Sequence, residues 1–393
     1  MKPGYKQTEI GMIPEDWEVK PAEDLMKIET GSRNTEDKVE GGQFPFFVRS
    51  QKAESIDTFH YNCEAVLTAG DGVGTGKVFH YYNGKFDAHQ RVYVMSSFSG
   101  INGKFFYYYF GKNFSNEVSK MTAKTSVDSV RRDMIAKMPI LVPPILQQDC
   151  IAEALSDVDE LIASLEKLIE KKKAIKQGAM QELLTGKRRL PGFSGEWKSV
   201  CLLEIGHFIK GFGISRADAN SGKLPAVRYG ELYTKHTDYV KSYYSHISLD
   251  VAATATPVTY GAILFAASGE TKEEIGKCAA IIEDLTVYAG GDILIFVPDK
   301  PIHPVFLGTL LNTPEVCKQK AQRGQGDAIV HIHADSLSQI KVQIPNFDEQ
   351  SAIADMLLSM DREIDLLEMK LAKARQVKQG MMQQLLSGKT RFI

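Results

Sequence analysis

The sequence predicts an α+β protein in which two mixed α/β modules alternate with two long helices that pair as an intramolecular coiled coil. Three observations carry that prediction: an internal duplication, an apolar seam of helical period in each copy, and a β-rich segment rich in glycine and aromatics ahead of each copy. They divide the chain into a first module with its amino-terminal segment (1–146), a first helix (147–190), a second module (191–346) and a second helix (347–393).

The duplication appears at a shift of 202 residues, where Gln147 to Leu190 matches Glu349 to Phe392 with close to half the positions identical. The identities include the whole run Lys-Gln-Gly-x-Met-Gln-x-Leu-Leu-x-Gly-Lys, beyond the reach of chance. Within each copy apolar residues recur at alternating spacings of four and three. In the first copy these are Ile151, Leu155, Val158, Ile162, Leu165 and Ile169; in the second they are Ile353, Leu357, Met360, Ile364, Leu367 and Leu371. A 3.5-residue repeat is the seam of one helix buried against another. Pro143, Pro144 and Pro345 precede the helices, and Gly186 and Gly388 follow them, as helix boundaries require. About 38 residues at 1.5 Å each give a rod on the order of 55 Å long.

The modules share a plan but little sequence. Each opens on a tryptophan, Trp17 or Trp197, and closes on an extended run into proline, MPILVPP or IKVQIP. Short β-like runs lie between, at Ala65–Ala69, Arg91–Met95, Ala262–Ala266 and Ile293–Val297, and DMIAKM and DSLSQI predict one short helix before each closing run. Modules that diverge while their helices do not fit two readers of different targets held on one symmetric frame; an old duplication with relaxed loops is the alternative reading.

Composition excludes several classes. At 393 residues, with 43% hydrophobic and 24% charged, the chain has the make-up of two or three folded domains, not of a disordered or disulfide-stapled protein. Lys+Arg 47 against Asp+Glu 49 leaves a formal charge of −2, so any nucleic-acid affinity must be local. The cysteines, Cys63, Cys150, Cys201, Cys278 and Cys317, are dispersed and odd in number, which predicts a reducing cytoplasm and no structural zinc. The opening residues lack the apolar core of a secretory signal, and no stretch is apolar enough to span a membrane.

Catalytic motifs are missing from the sequence. The stretch Thr68 to Lys77 (TAGDGVGTGK) has Asp71 where a phosphate loop needs its first glycine and Val78 where it needs Ser or Thr, so it reads as a glycine-rich turn between strands. His331 and His333 share a strand face without the acid or cysteine partners of a metal site. Pro298-Asp-Lys300 lacks the second acid of a nuclease, and no amino-methyltransferase motif occurs. The chain is expected to bind, not to catalyse.

The opening from Tyr5 to Trp17, the paired KQG-x-MQ-x-LL-x-GK helices and the Gly74–Met95 stretch (GTGKVFHYYNGKFDAHQRVYVM) together resemble the specificity subunit of type I restriction–modification systems, over essentially the whole chain. The resemblance implies two target-recognition domains, each reading one half of an asymmetric bipartite site in double-stranded DNA. The helices would pair antiparallel with pseudo-two-fold symmetry and set the gap between the halves. It further implies two methyltransferase subunits and two ATP-dependent restriction and motor subunits as partners, with S-adenosylmethionine and ATP on those partners and no cofactor or metal on this chain.

On that reading the candidate DNA-binding residues are Lys77, Lys85 and Arg91 around the first glycine-rich turn, Lys277 at the comparable place in the second module, Arg216 and Arg228, and two loops aligned by the 202-residue shift. Those loops, Lys120–Ser126 and Gln322–Ala328, supply Lys120, Lys124, Arg323 and Gln325. The methyltransferase interface falls on Gln177, Gly178, Met180 and Gln181 and on Gln379, Gly380, Met382 and Gln383. A glycine inside a helix costs about 1 kcal/mol, and its recurrence here has two readings: close helix approach, or a face left clear for a partner. Two other functions stay open on the residues alone, a protein-binding coiled-coil scaffold and a self-contained DNA methyltransferase or nuclease.

Overall fold

The computed structural model describes residues 4–122, 129–326 and 329–391. They form two compact units, one of Met1–Lys167 with Glu368–Ile393, the other of Leu168–Leu367. Each unit holds one module, part of the first long helix and part of the second.

The long helices run Ile145–Leu183 and Phe347–Leu385, 39 residues apiece. Both end earlier than the sequence match suggested, because the repeat continues through a turn. Gly186 and Gly388, at φ +68° and +67°, adopt the left-handed conformation that stops a helix, so the residues up to 190 and beyond 385 lie past the helical part. Pairing is antiparallel within each unit. In the first, Asp159 meets Lys378 and Glu166 meets Arg375; in the second, Lys172 meets Glu363 and Lys176 meets Asp361.

The seam is largely buried. Leu155, Leu165, Leu357, Ile364 and Leu367 are buried, while Val158, Ile162 and Met360 are half-buried. At the helix starts the seam widens into three-way packing: Ile151 and Leu155 enter the first module's core together with Leu385 and Leu386. Ile353 and Leu357 likewise enter the second module's core with Leu183 and Leu184.

The first module is built on a six-stranded sheet in the order Lys27–Thr30, Val92–Ser96, Tyr61–Ala69, Phe79–Ala88, Phe44–Phe47, Glu54–Ile56. The helix Gly103–Thr122 covers one face, burying Phe105, Phe106, Phe110 and Phe114 in the same core as Trp17. The second module has two four-stranded sheets. One orders Gly206–Lys210, Ile293–Pro298, Ile263–Ala266 and Cys278–Ala280; the other orders Ser245–Ile247, Leu224–Val227, Val287–Ala289 and Thr256–Val258. Two short helices, Pro304–Leu311 and Pro314–Ala321, stand where the first module has its single long one.

The ends of the modules agree closely. Glu18–Pro21 pairs antiparallel with Pro139–Val142, and Lys198–Cys201 with Lys341–Ile344, so each opening strand is zipped to its closing strand. The predicted short helices are Arg132–Ala136 and Ala334–Ser338. Gln148, at the start of the first long helix, accepts from Asn102 N at 2.7 Å and donates to Pro143 O at 2.7 Å. Gln350 accepts from His303 N at 3.0 Å and donates to Pro345 O at 3.0 Å. Asn102 and His303 immediately precede the module helices, so each long helix holds its module's helix by a buried amide.

Candidate functional site

In the first module the glycine-rich stretch leaves strand Tyr61–Ala69, makes one turn of 3-10 helix at Gly72–Gly74 and enters strand Phe79–Ala88. Gly70 N donates to Arg91 O at 2.7 Å, and Thr68 Oγ1 donates to Val78 O at 3.0 Å, closing the base of the turn. A side chain at Gly74 would strike Arg49 O at 2.6 Å, so glycine is needed for the close approach of the neighbouring loop.

That approach places Arg49 beside the turn, a residue absent from the candidates. Its Nη1 donates to Asp71 Oδ1 at 2.9 Å, and Arg91 Nε lies 3.6 Å from Asp71 Oδ2. One carboxylate thus orients two guanidinium groups. His89 accepts from Arg91 N at 3.0 Å; burial and the nearby Arg49 lower the pKa of its imidazole, keeping that acceptor neutral. Lys77 is exposed at the end of the same turn.

Lys85 does not belong to this group. It sits opposite Asn62, six residues along the strand from Phe79, which at 3.2–3.4 Å per residue is about 20 Å from the turn. Its ammonium lies over the Phe59 ring, 4.6 Å from the centroid. Lys120, in the last turn of Gly103–Thr122, pairs with Glu117, and Lys124 lies outside the described residues.

The comparable turn of the second module follows Ile263–Ala266. Ser268–Gly269 pairs with Val330–His331, and His331 in turn exchanges backbone hydrogen bonds with Gln325, bringing Gln325 beside that turn. Ser268 Oγ and His331 Nδ1 are 3.0 Å apart, and Tyr233 OH donates to Ser268 O at 3.0 Å. Gln325 is exposed. Lys277 and Arg323 are half-buried, donating to Tyr233 O at 3.2 Å and Gln319 O at 2.9 Å. Lys320, fully buried, donates to Gly276 O at 2.8 Å and supports the turn from beneath.

Arg216 and Arg228 lie elsewhere. Arg216 precedes the 3-10 turn Ala217–Ala219, which packs beside the outer strand Ser245–Ile247. Arg228 donates to Ser245 Oγ at 3.0 Å and pairs with the buried Glu231 at 3.5 Å, so its guanidinium is committed to the fold. Among the described residues no group of three or more His, Cys, Asp or Glu is placed to hold a metal ion. Nor is any described helix long and apolar enough to cross a membrane.

The helix-repeat candidates separate by face. Gln177, Gly178 and Gln181 are exposed, as are Gln379, Gly380 and Gln383. Met180 packs against the second module's core and Met382 against the first module's. Close helix approach does not explain the glycines, since a Cβ at Gly178 or Gly380 would meet nothing within 4 Å. The lysine of each Lys-Gln-Gly points the other way. Lys176 pairs with Asp361 at 2.7 Å, and Lys378 with Asp159 at 2.5 Å.

A family model described as the type I restriction modification DNA specificity domain matches the chain twice, at residues 14–177 and 194–376. The chain belongs to the DNA specificity subunits of type I restriction–modification systems. Each match takes in one module and most of the helix that follows, so the modules are target-recognition domains. The specificity subunit of the type I restriction enzyme MjaVIII of Methanocaldococcus jannaschii is 24% identical over 425 residues, spanning 98% of this chain and 96% of that one. The EcoDI specificity subunit of Escherichia coli is 27% identical over 193 residues, 48% of this chain and 41% of its own. The fold matches the crystal structure of the specificity subunit from M. genitalium with a TM-score of 0.66 at 16% identity, covering 98% of this chain and 99% of that chain. A second solved chain, from work on assembly and conformational transition of the type I system, matches at 0.57 and 14% identity over 96% of this chain and 99% of its own.

Proposed function

We propose that each target-recognition domain reads one half of an asymmetric, interrupted DNA site, and that the antiparallel helices fix the gap while docking two methyltransferase subunits. The observation that carries this reading is the contrast between frame and modules. The long helices, their capping glycines and their amide anchors recur at the 202-residue shift, whereas the sheets and turns they carry differ. Different readers on a repeated frame call for unlike half-sites at a set distance. Helices of 39 residues extend about 58 Å, longer than the roughly 34–36 Å of one duplex turn.

Base reading falls to Arg91, Lys77 and Arg49 in the first domain, where Asp71 presents two guanidinium forks suited to guanine edges. In the second it falls to the Ser268, Gln325 and His331 group. The exposed Gln177, Gly178 and Gln181 and their counterparts Gln379, Gly380 and Gln383, one face per repeat, support one methyltransferase subunit per repeat, joined by two ATP-dependent motor subunits for cleavage. The chain itself acts as the non-catalytic member, with S-adenosylmethionine, ATP and the extruded base held by its partners.

Mapping methylated adenines in cells carrying the complete system tests the reading. Inserting four residues into both long helices, about 6 Å of rise, is expected to keep both half-sites and alter their spacing; an unchanged spacing rejects the ruler. Methyl transfer by the isolated chain would reject the non-catalytic role.

A further inference from the structure

One polar device of the helix repeat lies away from both the turns and the docking faces, and it occurs once in each unit. In the first unit Lys378 Nζ lies 2.5 Å from Asp159 Oδ1, while Tyr108 OH donates to Asp159 Oδ2 at 2.8 Å and the Tyr108 ring faces the ammonium at 5.5 Å. In the second, Lys176 Nζ reaches both oxygens of Asp361 at 2.7 and 2.8 Å, and Tyr239 OH donates to Oδ2 at 2.9 Å.

The ion pairs are related by the 202-residue shift and belong to the duplicated frame. The tyrosines are not so related. Tyr108 comes from within the helix Gly103–Thr122, whereas Tyr239 follows the helix Tyr229–Thr234 in a segment bridged to Ala280. Two domains that differ in sequence here place the same donor on the same carboxylate. Asp361, withdrawn from water with its lysine, needs a further donor, and the partly exposed Asp159 takes the same one. A tyrosine supplies it from a rigid ring, so the hydrogen bond fixes an angle as well as a distance.

Each domain also has its amide anchor, at Gln148 or Gln350, 11 residues before the aspartate on the same helix. Eleven residues are close to three full turns, about 16 Å, so anchor and carboxylate lie on one helix face. The shared core and the amide anchor already hold the domain at the start of the helix; the carboxylate adds a fixed point about three turns further along the same face and so stiffens the domain's angle. Burial together with the adjacent carboxylate holds both tyrosine hydroxyls well above the usual phenol range, so they remain donors at any physiological pH.

We propose that Tyr108 and Tyr239 are positioning residues for DNA reading, each locking the angle of its recognition domain on the helix pair and so holding the gap between half-sites to a single value. The inference rests on the bipartite reading above, and the unmodified complex tests that reading first: if its methylome shows no two-part site with a fixed gap, both fall together. Given such a site, complexes carrying Tyr108→Phe, Tyr239→Phe or both are compared by the same mapping. Loss of a hydrogen bond to a charged group is expected to raise methylation at sites with a gap one base pair longer or shorter on the order of tenfold. The double variant should exceed either single one, and the bases of both half-sites should stay as they were. Removing one oxygen leaves the ring packing in place, and the variants lie in different units, so either alone decides the matter. Variants that lose stability yet methylate only at the original gap, or that alter a base within a half-site, overturn the proposal.

Discussion

The two recognition domains differ most where they face outward and least where they are attached. In the first, Phe79–Ala88 is one continuous ten-residue strand crossing a single sheet; in the second its counterpart is interrupted between Ala280 and Val287, and the sheet divides in two. The opening tryptophans lie 180 residues apart while the closing strands lie 202 apart, so the second domain carries 22 more residues between fixed ends. Attachment nevertheless keeps its geometry down to single hydrogen bonds, as in Ala22 N to Met138 O and Leu202 N to Ile340 O. A domain can therefore change what it presents to DNA while its connection to the frame stays constant.

Even at the attachment points the units are not identical, and their inequalities can be measured. The ion pair of the second unit is the drier one: the Lys176 and Asp361 side chains are 15% and 12% exposed, against 26% and 35% for Lys378 and Asp159. Lys176→Ala leaves a buried carboxylate without its cation and is expected to cost about 3 kcal/mol, whereas Lys378→Ala should cost about 1 kcal/mol. Urea unfolding of the two variants compares them directly, and equal costs would remove the distinction between the units.

The tryptophans give a second, smaller contrast. Trp17 is fully buried and donates to Gln147 Oε1 at 3.0 Å, but the residue equivalent to Gln147 is Glu349, which is taken up by Arg189. Trp197 Nε1 is consequently buried without a partner. Trp17→Phe is expected to destabilise by about 1 kcal/mol more than Trp197→Phe, the worth of one hydrogen bond, as read from thermal melting of each variant.

A further effect should be the same in both repeats. Gly178→Ala and Gly380→Ala place a methyl in open space and should each stabilise the free subunit by about 1 kcal/mol. Calorimetry of the isolated chain measures the gain, and titration with the methyltransferase subunit shows whether that methyl obstructs docking.

Much of the frame was legible in the sequence because its signals are local and repeated. The seam, the flanking prolines and the glycines Gly186 and Gly388 each act within a turn or two of helix, and the duplication shows them twice. Pairings between distant residues were not legible. Tyr239 and Asp361 are 122 positions apart, and nothing near either announces the other. Arg49 was missed because a loop 22 residues before Asp71 had to fold back onto the turn. Lys85 was misplaced for the opposite reason: it is near the turn in sequence, but an extended strand carries it away. The repeated glycines carried two readings that only space around them could separate.

The zipped strands at the ends of each recognition domain have an evolutionary consequence. Because entry and exit are buttoned together at Glu18–Pro21 with Pro139–Val142, and at Lys198–Cys201 with Lys341–Ile344, everything between them forms a cassette with one narrow collar. Genetic crossovers falling at those collars would exchange whole cassettes while keeping the strands that join them to the helices, and a cell could acquire a new DNA target in a single recombination.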